Sequence, residues 1–148
     1  MAQPIIEESL KPSVLDQVAI IDASAGMRTT NGEQTRFERA IVEVKDLAEE
    51  VFKENGYMTV VLAGAEASYV ANRVSSAEAI DFYATLDEMA DSMSDKDITN
   101  DACSYATADI KGAIELAQKI VDQNDEALVN LYSGTDYIDA GAVTLVNV

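Results

Sequence analysis

Val18-Ala19-Ile20-Ile21-Asp22-Ala23-Ser24-Ala25-Gly26-Met27 decides the fold. Four uninterrupted apolar residues, three of them β-branched, lead straight into an acidic one. Such a run fits a short strand buried on both faces, as in a parallel sheet, because a half-exposed strand would alternate. The small and polar residues from Asp22 to Gln34 then read as a loop. A carboxylate at the carboxyl end of a central parallel strand stands where open α/β sheets bind their ligands.

Downstream, Thr35-Arg36-Phe37-Glu38 fits a capping box, with Thr35 capping and Glu38 reaching back. Phe37, Ile41, Val44, Leu47, Ala48 and Val51 form one apolar stripe at helical spacing, and Asn55-Gly56 ends the helix. Tyr57 to Ala63 reads as a second buried strand, Gly64 to Ala67 as a tight connection, and Ser68 to Val74 as an antiparallel hairpin partner. Ser75-Ser76-Ala77-Glu78 repeats the capping-box pattern ahead of a helix whose stripe is Ile80, Tyr83, Leu86 and Met89. Asp91 to Tyr105 reads as a polar loop. Ala108 to Gln123 is a third helix, burying Ile110, Ala113, Ile114, Ala117, Ile120 and Val121. Ala127 to Tyr132 and Val143 to Val148 are the last two strands.

Parallel neighbours need crossover helices, so the second strand lies beside the first, with the hairpin strand outside it and the fourth strand on the first strand's other side. The fold class expected is α/β: a doubly wound, Rossmann-like open sheet, mostly parallel, with one antiparallel edge strand. Residues 1–16, with Pro4 and Pro12, are expected to be irregular, and 17–148 to form one domain. Val143 to Val148 reads as a strand with nothing after it, so the domain is expected to be truncated at its carboxyl end.

Composition narrows function by exclusion. The 148 residues hold 10 Lys and Arg against 27 Asp and Glu, a formal net charge of −17. A surface this acidic repels nucleic acid and anionic lipid and suits cations or a basic partner. Histidine is absent and Cys103 is the one cysteine. Ser-His and Cys-His catalysis, His-ligated zinc and an internal disulfide are therefore excluded. No apolar run reaches the ~20 residues that span a bilayer, so this segment does not insert directly.

Three loops are expected to meet at the reversal of strand order between the first and fourth strands: Asp22 to Met27, the loop ending near Thr107, and Ser133 to Asp136. Their oxygen-rich side chains suit Mg²⁺, Mn²⁺ or Ca²⁺ rather than a soft metal. Here the chain resembles a von Willebrand factor A domain, whose metal-ion-dependent adhesion site opens with Asp-x-Ser-x-Ser after the first strand. That site adds a Thr from the second loop and an Asp from the third. The likeness continues through Val60-Val61-Leu62-Ala63-Gly64 and Ile110-Lys111-Gly112-Ala113-Ile114-Glu115-Leu116-Ala117, and is greatest to A domains of bacterial membrane-anchored proteins of the aerotolerance, or Bat-like, type.

The resemblance implies a non-catalytic protein-interaction module, a soluble domain of a membrane-anchored parent, with an unidentified protein partner. The metal ligands it implies are Ser24 directly, Asp22 through water, and Thr107 and Asp136. The motif is degenerate: Gly26 replaces the second Ser, Ala108 competes with Thr107 for the Thr position, and Asp136 fits only after a two-residue loop shift. Cation dependence is accordingly expected to be weak or lost.

Competing patterns fit less well. A dehalogenase-type phosphatase needs Asp where Ser24 stands, although a Mg²⁺-dependent phosphoryl-transfer enzyme using Asp22 stays as an alternative, as does a metal-independent scaffold of a membrane complex. A receiver domain needs an acidic pair after the first strand and a late Lys. No Gly-x-x-x-x-Gly-Lys occurs. Asp87, Glu88, Asp91, Asp95, Asp97 and Asp101 lack calcium-loop spacing and read as a solvated loop. Tyr105, Tyr132 and Tyr137 read either as an aromatic contact patch or as half-buried packing.

Overall fold

The fold was established from a computed structural model that describes residues 16–23, 27, 35–64, 66–94, 109–124, 126–133 and 144–147. Strand β1 (Asp16–Asp22) leads through helix α1 (Arg36–Lys53) to β2 (Tyr57–Ala63), which turns into β3 (Ala67–Val74). A 3₁₀ turn (Ser76–Glu78), helix α2 (Ala79–Ser94), helix α3 (Ile110–Gln123), β4 (Leu128–Ser133) and β5 (Thr144–Asn147) follow. The five strands lie in the order β3-β2-β1-β4-β5. Among the described strands, only the β2–β3 pair is antiparallel. The doubly wound sheet with one antiparallel edge expected from the sequence is the fold found.

Alternation along the strands divides the core into two layers. Ala19 and Ile21 of β1, with Met58 and Val60 of β2, face α1 and α2 and pack against Phe37, Val44, Val51, Phe82 and Leu86. Val18 and Ile20, with Val61, Ala63 and Leu131, face α3 and pack against Ala113, Ala117 and Ile120. Every residue of β1 is buried, which is why its apolar run is continuous.

Local signals set the helix ends. The Glu38 N–H donates to Thr35 Oγ1 at 3.0 Å and the Thr35 N–H donates to Glu38 Oε1 at 2.8 Å, completing the expected box. At the other end the Gly56 N–H reaches the Val51 carbonyl and the Asn55 N–H the Phe52 carbonyl, a Schellman closure. The left-handed residue in it is Asn55, at φ 60°, rather than the glycine. Asn tolerates this region because its short polar side chain can hydrogen-bond locally.

Two expectations are corrected. The Ser75 box opens a 3₁₀ turn, and α2 follows with a rotated stripe: Phe82 and Leu86 are buried while Ile80 is 84% exposed. Phe82 turns the helix because its ring meets Phe52 edge-on at 5.7 Å, with Tyr83 completing the aromatic cluster. Helix α2 also continues through Ser94, where a loop from Asp91 was expected. Met89 and Ala90 still pack against the core and carry the helix onward. Among the described residues no helix is long and apolar enough to cross a membrane.

Candidate functional site

The switch point falls where topology places it. β1 sends its chain to β2 on one side and pairs with β4 on the other, so the crevice between β1 and β4 opens at their carboxyl ends. Ile21 is opposite Tyr132, which brings the strand-final residues Asp22 and Ser133 side by side. Both are fully buried. Ser133 Oγ donates to Asp22 Oδ2 at 2.5 Å. The Ala23 N–H donates to the Ala63 carbonyl at 3.0 Å, extending the ladder one residue past the strand and fixing the direction in which the loop leaves. Met27 is buried in the α1-side core and tethers that loop again four residues later.

Helix α3 brings a second carboxylate to this pole. Asp109 caps it: Oδ1 accepts from the Gly112 N–H at 3.0 Å, while Oδ2 accepts from the Ala67 N–H at 3.1 Å. The Asp109 N–H donates in turn to the Gly64 carbonyl at 2.8 Å. One residue thus ties the start of α3 to both sides of the β2–β3 turn. A Cβ on residue 112 would overlap the Asp109 carboxylate, so glycine is required there to let the cap close over the first helical turn.

Of the four residues expected from the sequence as ligands, Asp22 lies at the head of the crevice. Ser24, Thr107 and Asp136, like Gly26, lie outside the described residues. Carboxylate and hydroxyl oxygens of the kind Asp22 and Ser133 supply suit a hard divalent cation and not a soft one. Among the described residues no three acidic or cysteine side chains converge tightly enough to hold an ion by themselves. Ser133 and Asp109 were not expected as partners here. The signal for Ser133 was its register: a hydroxyl ending β4 must lie beside a carboxylate ending β1. For Asp109 it was the spacing to Gly112, an acidic cap followed at the third helical position by the residue with no side chain.

Tyr132 is only 4% exposed and packs in the core beneath this pole, so it belongs to packing rather than to a contact patch. Tyr105 and Tyr137 lie outside the described residues. Of the acidic run, Asp87, Glu88 and Asp91 are exposed on α2, and Asp87 pairs with Lys45 at 2.7 Å. Burial, with Glu43 nearby, pushes the Tyr132 phenol up to about 12. The folded value is raised, so stability is at full strength below the ordinary tyrosine value near ~10 and declines between there and about 12 as the unfolded chain ionises first. Tyrosinate absorbance of the folded protein should show Tyr132 ionising late. Tyr132→Phe should flatten part of the alkaline loss of stability; an unchanged slope would overturn this assignment.

No protein-family model matches the sequence, and no curated protein does. Solved structures do share the fold. An aerotolerance-related membrane protein from Bacteroides fragilis, carrying multiple mutations to serine, superposes with a TM-score of 0.60 at 16% identity, over 88% of this chain and 65% of its own. BatB from Bacteroides thetaiotaomicron gives 0.60 at 15% identity, over 90% and 65%. Proximal thread matrix protein 1 of the mussel byssus gives 0.56 at 12% identity, over 90% and 36%. The chain therefore spans about two thirds of the Bacteroides structures. The fold is the A-domain-like one that the sequence resemblance implied.

Proposed function

We propose that this chain is a non-catalytic protein-interaction module of the von Willebrand factor A type, working from the crevice between β1 and β4. The observation that carries this is the buried Asp22–Ser133 pair, an oxygen-bearing floor at the topological switch point. Around that floor Asp22, Ser24, Thr107 and Asp136 would hold a divalent cation weakly, with Ser24 direct and Asp22 through water. When bound, such a cation supplies an open coordination position for a partner's carboxylate. Asp22 anchors the site and Ser133 fixes its rotamer.

The likeness to BatB and to an aerotolerance-related membrane protein supports a second level of the proposal. The domain would be the water-facing part of a bacterial membrane-anchored parent, meeting a protein partner within a membrane complex. A phosphoryl-transfer enzyme using Asp22 is less well supported, because Ser133 already holds Oδ2, one of the two carboxylate oxygens that would have to attack in line.

Adding Mg²⁺, Mn²⁺ or Ca²⁺ to metal-free protein should raise its melting temperature, since an ion that binds only the folded state contributes about 1.4 kcal/mol at ten times its dissociation constant. Asp22→Ala, compared with its own metal-free melt, should lose that response. No shift at millimolar metal would sink the cation-dependent form and leave the metal-independent scaffold. A stable beryllium fluoride adduct at Asp22 would overturn the non-catalytic reading.

A further inference from the structure

On the flank away from the β1–β4 crevice, a groove of about 220 Å³ runs between edge strand β3 and the start of α2. Val70, Ala71, Val74 and Phe82 make its apolar floor, and Glu78 and Asp81 stand on its rim. The volume is below the ~300–1,000 Å³ usual for small-molecule sites, and fits one or two aliphatic side chains instead. From Ser75 to Ser94 the chain has five acidic residues (Glu78, Asp81, Asp87, Glu88 and Asp91) and no Lys or Arg; Asp87 is paired with Lys45 of α1, while Glu78 and Asp81 stand at the groove. The β3 residue Arg73 is turned to Asp16, so it does not offset that charge.

We infer that this groove docks a basic protein segment carrying an aliphatic anchor. Charge complementarity selects the occupant. A second copy of this chain would bring another net charge of −17 against the same acidic rim, and an acidic or anionic-lipid partner would be repelled likewise. Strand addition to β3 is not the mode favoured. The register slips between Met58 and Val60 and again between Val60 and Val61, and Arg73 adopts φ 48°. Such bulges twist an edge away from a regular ladder. The anchor therefore enters the groove between strand and helix, with flanking cations meeting Glu78 and Asp81. Glu78 serves although it also accepts from the Ser75 N–H, because the capping bond leaves its charge in place.

The test is fluorescence anisotropy with a labelled octapeptide of two central leucines flanked by three lysines on each side. Replacing the leucines by alanine should weaken binding about fivefold, and Asp81→Lys or Thr85→Arg should each do the same. Both positions are exposed, and the melts of the variants report that they fold. Glu115→Lys makes the same charge change as Asp81→Lys at an exposed position of α3 and should leave affinity unchanged. Equal losses in Glu115→Lys, or indifference to the leucines, would show bulk attraction only and overturn the proposal. So would peptide-induced amide shifts centred on Asp22 instead of Val70 and Val74. Asp22→Ala should bind the peptide normally, so this inference and the proposed β1–β4 site fail separately.

Discussion

Arg73→Met is expected to destabilise the protein by about 3 kcal/mol, the lower end of the range for removing one partner of a buried ion pair. Asp16 opens β1 with a side chain fully shielded from water, and Arg73 reaches it from β3 with Nε and a terminal nitrogen both 2.9 Å from Oδ2. The guanidinium keeps about a third of its surface exposed, and water can reach that side of the pair, so the upper end of the range does not apply. Methionine keeps the length that packs over the Tyr57 ring, which the guanidinium carbon approaches to 4.5 Å. It also leaves the positive φ unchanged, so the loss isolates the charge. For a chain of this size the melting temperature should fall by roughly 9 °C. Adding Asp16→Asn to Arg73→Met should recover part of the loss, because an amide is cheaper to bury than an unpaired carboxylate. If the double variant is no more stable than Arg73→Met, burial of the Asp16 charge is not the cause.

Asp16 and Arg73 also mark the limit of what pattern can reveal. The strands, their order and the first helix were legible because burial on both faces leaves a continuous apolar run, as in Val18 to Ile21, and burial on one face leaves a stripe, as from Phe37 to Val51. Asp22 was legible because strand end and acidic residue coincide. Pairings between residues far apart in sequence leave no such trace. Arg73 and Asp16 are 57 positions apart, and Ala67 and Asp109 are 42 apart. The α2 stripe misled for a related reason. Ile80 and Phe82 suit a helix equally well, and only the position of Phe52 on α1 decides which of them turns inward. The candidate site was legible as a place, fixed by topology, and as a donor type, fixed by the absence of His and the wealth of hydroxyls and carboxylates. Its hydrogen bonds were not, since Ser133 acts on Asp22 only through the register of two parallel strands.

Asp109→Ala should cost about 2–3 kcal/mol, roughly 1 for the lost helix cap and the rest for the Ala67 N–H left without its charged acceptor. Asp109→Asn should retain about half of this. Its one carbonyl oxygen can accept from Gly112, while its amide nitrogen faces the Ala67 donor and cannot accept. Gly112→Ala should mimic the alanine variant in part, since the new methyl displaces the carboxylate, with the gain in helix propensity of about 1 kcal/mol offsetting some of the loss. The consequence reaches the proposed site. Thr107 precedes Asp109 by two residues in sequence, and Asp109 is held by its bonds to Gly64, Ala67 and Gly112. If Thr107 is a ligand, Asp109→Ala should weaken the response to divalent cations beyond what Thr107→Val does to an otherwise intact protein, because it releases the whole loop end. Melting titrations of the two variants and their combination decide the point. Coupling, with the double variant no weaker than Asp109→Ala alone, places Thr107 and its anchor in one unit. An undiminished response in Thr107→Val would remove Thr107 from the ligand set, and strict additivity would separate its contribution from the Asp109 anchor.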